Sequence, residues 1–281
     1  MPGRWADKEM NLIYDFTIVL YALSIIGYFI DFLQNNRKAN KFAFWLLSIV
    51  WVLQSVFFVM RIVEYNRFPI LTPSEGLFFY AWILVTFSLI MNRFFRVDFF
   101  VFFTNLLGFM LLSIHLFAPS EQVSEVLSQQ LVSELLIIHI TMAFVSYGAF
   151  SLSFIFSVMY LIQHSMLKRK KWNKRLQRFG SLSQLDRLPF MLNMVGVPLL
   201  LLSLILGVIW AHLKVPDFSF FDAKVVSSFI VIAVYSTFLY QKTARGLQGK
   251  ALAQWNAAAF LIVLINYFLS SAFTEFHFWY R

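Results

Sequence analysis

The residues of this sequence that most readily bind a transition metal through nitrogen are its five histidines: His115, His139, His164, His212 and His277. The chain has no cysteine, which excludes thiolate-bound metals, iron–sulfur clusters, disulfides and cysteine nucleophiles. It also lacks the glycine-rich motifs G-x-G-x-x-G and G-x-x-x-x-G-K-[ST], so nothing in it indicates nucleotide binding. A bound metal cofactor would therefore depend on these imidazoles and on the elements that bring them together.

The composition places the histidines in a membrane. Apolar residues make up 60% of the 281 residues, only 13% are charged, and 35 are phenylalanine. A soluble protein of this length could not cover so much apolar surface with so few polar residues. Eight segments approach or exceed the ~20 apolar residues that a helix needs to cross the bilayer core. They lie at about 12–34, 42–62, 75–92, 98–118, 133–163, 190–213, 222–241 and 254–273. We expect an all-α bundle of eight transmembrane helices, forming a single integral membrane domain over residues 1–281.

The positive charges predict the orientation of these spans. Sixteen of the 23 lysines and arginines fall in the loops at one end of the predicted bundle, and the other seven fall at the opposite end with most of the acids. The positive-inside rule puts the base-rich loops in the cytoplasm and both termini outside. The bases occupy short gaps between apolar runs, so the net charge of +9 reflects topology and a lipid surface, not a nucleic-acid partner.

On this topology, four histidines from four different spans lie towards the outer face. Helical bundles hold cofactors in this way, and haem iron accepts imidazole as an axial ligand. His115 and His212 end their spans, where an amphipathic histidine at the membrane interface is the more ordinary interpretation. His139 instead lies about two turns inside an apolar segment, where an ionisable side chain is costly and indicates function. His164 ends the same span on the cytoplasmic side, ~37 Å away at 1.5 Å per residue, and cannot share a ligand with His139.

Four stretches of the chain resemble the cytochrome c assembly proteins, a family of haem-handling membrane proteins with CcsA-like and HemX-like branches. The stretches are LTPSEGLFFYAWILV (71–85), LLIIHITMAFVSYGAFSLSFIFSVMYL (135–161), LDRLPFMLNMVGVPLLLLSLILGVIWAHL (185–213) and INYFLSSAFTEFHFWY (265–280). Each is weak alone, but four in the family's order are specific. The resemblance covers about residues 70–281 and implies an eight-span member of this family in a bacterial cell membrane.

The resemblance also implies a cofactor and its ligands. Two outer-side histidines of the family serve as axial haem ligands, and they correspond to His139 and His277 of this sequence. The haem would be b-type and bound non-covalently. Further candidates for contact with it are Glu75, Trp82, His115, His212 and Trp279.

The segment HLKVPDFSFFDAKVV (212–226) departs from the members of the family that ligate haem to cytochromes. Those members carry the tryptophan-rich motif W-G-x-x-W-x-W-D-P-K-E; Asp222 and Lys224 are retained here, but the segment contains no tryptophan. A membrane-embedded histidine at the end of the next span is also missing, and Tyr240 and Gln241 stand near its place. This pattern is typical of the HemX-like branch, which is associated with haem biosynthesis as a negative effector of the amount of glutamyl-tRNA reductase.

Three functions follow from these observations. The leading one is a haem-binding membrane protein that restrains haem synthesis through glutamyl-tRNA reductase. We expect no catalysis of its own, because no activated nucleophile or acid pair is arranged for it. The alternative is a cytochrome c biogenesis subunit that exports or presents haem. A small-molecule permease is disfavoured, because polar groups in the middle of the spans are few.

The longest predicted cytoplasmic segment, 164–189, offers a surface to soluble partners. It combines eight bases with Trp172, Leu176 and Phe179. A juxtamembrane stretch held to anionic lipid, at ~1 kcal/mol per base, is the simpler interpretation of this composition. A docking surface for glutamyl-tRNA reductase is the other, since that soluble enzyme can reach only cytoplasmic segments.

Overall fold

The computed structural model describes residues 3–94, 98–117, 133–170, 178–215 and 218–269, and every regular element in these ranges is a helix. The helices are α1 (Gly3–Gln34), α2 (Arg37–Tyr65), α3 (Pro73–Phe94), α4 (Asp98–Phe117), α5 (Glu134–Lys168), α6 (Leu182–Lys214), α7 (Ala223–Thr243) and α8 (Lys250–Leu264). A short π-helical turn, Ile265–Leu269, continues α8. The predicted all-α architecture with eight helices is confirmed.

Seven of the helices in the described ranges are long and apolar enough to cross a membrane. The apolar part of α4, Phe99–Ile114, is shorter. Large apolar side chains such as Trp45 and Val63 of α2 are exposed, at 68% and 77% of their surface, and a lipid environment accounts for this exposure. The chain is therefore a multi-pass membrane protein. The orientation of its termini stays a prediction.

Two compact units divide the chain, Met1–Glu121 with α1 to α4 and Gln122–Arg281 with α5 to α8. In the first unit α1 packs along α2 and also contacts α4, while α3 packs on α4. Helices α1 and α2 approach closely at Gly27, where an added Cβ atom would lie 2.9 Å from the Cβ of Ala43. Small residues permit such close packing between transmembrane helices.

The second unit is built around the pair α5 and α6, which run antiparallel. The hydroxyl of Ser146 donates to the carbonyl of Gly196 at 2.8 Å, and that of Ser153 donates to the carbonyl of Pro189 at 3.3 Å. Helix α8 packs against α5 and α7, and α7 also contacts α6. These four helices position His139, the candidate ligand inside a span.

A buried amide cluster joins three helices of this unit. Asn193 of α6 donates through Nδ2 to Oδ1 of Asn256 on α8 at 2.8 Å. Nδ2 of Asn256 in turn lies 2.7 Å from Oγ of Ser153 and 2.8 Å from Oγ of Ser157, both on α5. Both asparagines are fully buried. Hydrogen bonds between polar side chains fix how transmembrane helices associate, so the cluster holds α5, α6 and α8 in register.

Helix α6 begins earlier than the apolar run from which its span was predicted. Ser181 caps its first turn by accepting a hydrogen bond from the backbone N–H of Gln184 at 3.1 Å, which satisfies one of the unpaired donors at a helix start. The helix therefore starts at Leu182, not near residue 190, and Pro189 lies inside it. Hydropathy marks the hydrocarbon-spanning part of a helix, whereas the cap marks where the helix begins.

Candidate functional site

His139 lies near the start of α5, one of the longest helices described. Ser133 caps the helix by accepting a hydrogen bond from the backbone N–H of Leu136 at 3.3 Å. His139 follows within the second turn, and α5 then continues without a break to Lys168. The imidazole is part-buried, and it faces α6 across the antiparallel pair.

The backbone of α6 fixes the tautomer of His139. Nδ1 of the ring lies 2.6 Å from the carbonyl oxygen of Ser203, and the Ser203 hydroxyl lies 3.0 Å from the same nitrogen and donates to the carbonyl of His139 at 2.8 Å. A carbonyl oxygen can only accept, so Nδ1 carries the proton of the neutral ring. Nε2 therefore holds the lone pair, as in histidines that ligate metals while the other nitrogen is hydrogen-bonded.

Gly207 provides the space that the imidazole occupies. A Cβ atom at this position would lie 2.5 Å from Cε1 of His139, 2.7 Å from Nδ1 and 2.9 Å from Nε2. The ring thus packs directly on the backbone of α6, one turn beyond Ser203. Ser203 and Gly207 are four residues apart and share one face of the helix, so together they form the surface on which His139 is held.

A second set of polar groups joins α5, α7 and the π-turn. The Lys224 ammonium donates to the backbone carbonyl of Asn266 at 2.7 Å. The Asn266 side chain donates through Nδ2 to the hydroxyl of Tyr147 at 3.0 Å and accepts from the hydroxyl of Ser227 at 2.8 Å. Tyr147 lies eight residues after His139 on α5, which is about 12 Å along the helix axis. These contacts form a charged and hydrogen-bonded layer in the same unit as His139.

Aromatic rings complete this layer. The ring of Tyr267 lies 6.0 Å from that of Phe144 and 6.3 Å from that of Tyr147, and the Lys224 ammonium is 5.9 Å from its centroid. A π-helical turn adds a residue to the helical repeat, and such turns are frequent at functional sites. Here the turn contains both Asn266 and Tyr267.

The other predicted histidines are not brought to His139 in the described residues. His164 lies at the far end of α5, where its ring stacks near that of Tyr160 at 6.0 Å. His212 is exposed at the end of α6, 6.4 Å from the ring of Phe220. The side chain of His115, on α4, and the predicted residues His277 and Trp279 lie outside what the structure describes. The two-ligand site thus stays a prediction.

Glu75 organises the turn that precedes α3. Its carboxylate accepts two hydrogen bonds from the guanidinium of Arg67, at 2.8 and 3.0 Å, and further bonds from the backbone N–H groups of Leu71 at 2.7 Å and Thr72 at 3.2 Å. A bidentate Arg–carboxylate pair is a strong and directional contact. These contacts lie within the first unit and give Glu75 a structural role in the turn.

Trp82 belongs to an aromatic array between α2 and α3. Its ring is nearly parallel to those of Trp51, Phe58 and Phe79, with centroids 6.4, 6.3 and 5.9 Å away. Its Nε1 donates to the hydroxyl of Ser55 at 2.9 Å. The array is a rigid apolar surface within the first unit.

The hydrogen bonding of His139 fits a ligand of a haem-type cofactor. In the described ranges, no three His, Cys, Asp or Glu side chains are grouped so that they could hold a metal ion. A single imidazole with a fixed tautomer suits a metal that arrives with its own ring of nitrogen donors and needs only axial ligands. His139 meets that requirement through Nε2.

Sequence reasoning proposed His139 as a candidate ligand and missed the residues that contact it. Gly207 carried a signal, since a glycine within an apolar helix indicates close approach of another group. Asn266 carried another, because a polar amide within the last predicted span requires a partner. Ser203 carried none, since its contribution to the imidazole comes mainly from its backbone carbonyl.

Comparison with known proteins agrees with the resemblance read from the four motifs. Residues 70–277 match the family described as cytochrome C assembly protein. The chain is 56% identical over 271 residues to the protein HemX of Bacillus subtilis (strain 168), covering 96% of this chain and 98% of that protein. It is 48% identical to HemX of Brevibacillus brevis, covering 97% and 99%. The cytochrome c biogenesis protein CcsA of Prochlorococcus marinus (strain MIT 9301) is 24% identical, with 92% of each chain covered.

Proposed function

Because the chain belongs to the cytochrome c assembly family, and within it to the HemX proteins, we propose that it binds haem in the bacterial cell membrane and lowers the abundance of glutamyl-tRNA reductase. The haem is b-type and non-covalently held, and the protein has no catalytic activity of its own. Similarity to the HemX proteins over nearly the full length supports the assignment within the family. The geometry of His139 supports the haem site.

His139 is the observation that carries the haem proposal. Haem, when bound, supplies an iron whose axial positions accept imidazole nitrogen. The carbonyl of Ser203 holds the proton on Nδ1 of His139 and leaves Nε2 for the iron. Gly207 lets the ring lie against α6, which limits its rotation. The motif resemblance assigns the second axial position to His277.

The visible spectrum of the purified protein in lipid nanodiscs tests this proposal. We expect a Soret band with low-spin features in the wild type. His139→Ala should lose haem or leave a five-coordinate iron, and His277→Ala should do the same. His164→Ala is the matched control, because it removes an imidazole from the opposite end of the same helix. A colourless wild type after haem loading, or equal behaviour of His139→Ala and His164→Ala, contradicts the site.

The regulatory part of the proposal involves the segment 164–189. Its bases can attract an acidic surface of the reductase or of an adaptor. Phe179, expected from the sequence to be part of this surface, is instead buried in the protein and cannot anchor such a contact. A variant that lowers the charge and keeps bases for topology replaces five residues with Gln: Lys168, Lys170, Lys171, Lys174 and Arg175. We expect reductase abundance to rise towards the level of a deletion strain when wild type and variant are made in equal amounts. Unchanged repression would remove the charge of this segment from the mechanism.

One observation favours the alternative, a subunit that presents haem during cytochrome c biogenesis. The connection between α6 and α7 exposes Phe220 and Phe221, with 59% and 89% of their surface accessible, and the ring of Phe218 lies 5.4 Å from that of Phe220. Exposed aromatic rings offer a surface for a flat apolar ligand. Complementation of a strain that lacks the cytochrome c synthetase separates the two functions. We expect no holocytochrome, and its recovery would favour the alternative.

A further inference from the structure

Helix α1 has polar side chains on its buried face and apolar side chains on its exposed face. Within 12–34, the part of α1 whose side chains the structure describes, every buried residue other than Gly27 carries a hydroxyl or carboxyl group. These residues, which we call the polar seam, are Tyr14, Thr17, Tyr21, Ser24, Tyr28 and Asp31. The large apolar side chains are exposed instead: Leu12, Phe16, Val19, Leu23, Ile26, Phe29 and Leu33. This distribution is the reverse of that in a helix of a soluble protein.

The polar seam has a regular spacing. Its members are three or four residues apart in alternation, so they lie on one face of the helix. At 1.5 Å per residue, successive members are about 5 Å apart along the helix axis, and the six together span about 26 Å. The hydrocarbon core of a bilayer is about 30 Å thick, so the seam is long enough to run through most of it.

Neighbouring helices supply part of the hydrogen bonding of the seam. The hydroxyl of Tyr21 donates to Oδ1 of Asn105 on α4 at 3.2 Å, and that of Ser24 donates to the carbonyl of Ala43 on α2 at 2.9 Å. A hydroxyl that donates one hydrogen bond keeps lone pairs that can accept others. The seam can therefore receive further hydrogen bonds while its contacts with α2 and α4 stay intact.

Three buried side chains of the first unit have hydrogen-bonding atoms without a partner in the described residues. They are Gln54 on α2, through both atoms of its amide, Thr104 on α4, and Tyr28 of the seam itself. Gln54 and Thr104 are fully buried, and Tyr28 exposes only 2% of its surface. A buried polar atom without a partner is destabilising, and native proteins contain few of them. Their concentration in one unit indicates a small polar ligand.

Gln54 lies at the level of Thr17 in the seam. It precedes Phe57 by one turn of α2, and the ring of Phe57 lies 5.6 Å from that of Tyr14. The two helices run antiparallel, since the first part of α1 contacts the last part of α2. One turn back along α2 from Phe57 therefore corresponds to one turn forward along α1 from Tyr14.

Thr104 lies at the level of the next part of the seam. It precedes Asn105, which accepts from the hydroxyl of Tyr21. Phe102, two residues before it, contacts Phe29 of α1, with 5.9 Å between the ring centroids. Helices α1 and α4 also run antiparallel, so Thr104 lies between the second and third tyrosines of the seam.

We propose that the first unit binds water molecules in a file along the polar seam, between the levels of Gln54 and Tyr28. A water molecule with two hydrogen bonds of about 2.8 Å holds its partners about 5 Å apart, which matches the spacing of the seam. Water is both a donor and an acceptor, as the two atoms of the Gln54 amide require. Buried water commonly serves polar groups that the protein leaves unpaired. The site lies in the first unit and does not depend on the proposed haem function.

Radiolytic labelling of the full chain in nanodiscs tests this proposal. X-rays produce hydroxyl radicals from water in place, so mass spectrometry finds a buried side chain oxidised where a water molecule lies beside it. We expect oxidation of Tyr21 and Tyr28, although they expose only 0% and 2% of their surface. Met159 of α5 is the internal control, because it is fully buried and its thioether reacts more readily than a phenol. Oxidation of the two tyrosines no faster than that of Met159 would overturn the proposal.

A variant without one of the unpartnered groups gives a second test. Thr104→Val removes the hydroxyl and keeps the shape of the side chain, so we expect it to reduce the oxidation of Tyr21 and Tyr28. Thr237→Val is the matched control, because its hydroxyl is exposed and bonds within α7 of the other unit. Thr104→Val should also be less stable than the wild type in mixed micelles, whereas removing a dry, unsatisfied hydroxyl would make the protein more stable.

Unchanged oxidation of the two tyrosines in Thr104→Val, or a gain in stability, contradicts the water file. If this variant does not accumulate, Gln54→Met removes an unpartnered amide at another level of the seam and should reduce the oxidation in the same way.

Discussion

Replacing Gly207 with alanine tests whether the contact between α6 and His139 matters for haem binding. The new Cβ atom would lie 2.5 to 2.9 Å from three atoms of the imidazole. Ordinary contact needs about 3.5 Å, so the ring must move by about 1 Å away from α6. Ser203 lies on the same face of α6, so this movement also lengthens the 2.6 Å separation between Nδ1 and the Ser203 carbonyl. At about 3.6 Å that hydrogen bond is lost.

The loss should be visible in haem affinity. Removing the hydrogen-bonding partner of a metal-ligating histidine typically lowers metal affinity 10- to 100-fold. We therefore expect Gly207→Ala to raise the Kd for haem about 10- to 100-fold. Its effect on stability should be smaller, because overpacking costs about 1–3 kcal/mol and alanine gains about 1 kcal/mol over glycine within a helix.

The assay is a titration of haem into the apoprotein in nanodiscs, followed at the Soret band. Gly196→Ala provides a matched control on the same helix. Its Cβ would lie 2.7 Å from Cε1 of Phe150, so it overpacks the α5–α6 contact without touching His139. We expect it to leave the Kd for haem nearly unchanged, because Gly196 does not contact His139 in the structure. Equal affinities for haem in the two variants would refute the argument that Gly207 positions the ligand.

Three further predictions concern packing and topology. Asn256→Ala removes the hydrogen bonds of this side chain to three others. Each such bond contributes about 0.6 kcal/mol in a membrane protein, so the unfolding free energy of the variant in mixed micelles should be lower by about 2 kcal/mol. Ser157→Ala, the control, should lose about 0.6 kcal/mol, and equal losses would contradict the cluster. Lys242→Met breaks the ion pair with Asp186 and should destabilise the protein by about 1–2 kcal/mol, which is less than the cost of breaking a fully buried pair. Adding Asp186→Asn to this variant should recover part of the lost stability. No recovery would mean that the ion pair does not stabilise the protein. Single cysteines should be labelled from outside intact cells at residues 122 and 216 and protected at 36, 173 and 246, and external labelling at 173 would reverse the predicted orientation.

The helices could be predicted because apolar runs of sufficient length leave a chain few alternatives in a membrane. Their ends could not be predicted with the same accuracy. Helix α5 runs to Lys168, beyond the predicted end near 163, and α6 begins at Leu182, before the predicted start near 190. Polar residues at the interface allow a helix to continue, so hydropathy detects the hydrocarbon-spanning part and misses the ends.

The candidate site could be predicted only where a residue type is unusual for its surroundings. His139 is such a residue, because an imidazole within an apolar run requires an explanation. Its contacts with Ser203 and Gly207 depend on the antiparallel register of α5 and α6, which is set by many packing contacts and not by a local motif. The π-turn that carries Asn266 has no signature in the sequence, and without it the link to Lys224 could not be foreseen.

Helix α5 links the proposed haem site to the segment 164–189, since His139 lies near its first residue and Lys168 is its last. Under the proposed function, an effect of haem at the imidazole on the segment 164–189 would pass along α5 and its packing on α6 and α8. The amide cluster around Asn256 fixes that packing between the two ends. We therefore expect Asn256→Ala to leave the Kd for haem nearly unchanged while it weakens the response of reductase abundance to haem. Titration at the Soret band and immunoblotting of the reductase, with and without added haem, measure the two effects. A normal response in this variant would mean that the signal does not depend on the register of these three helices.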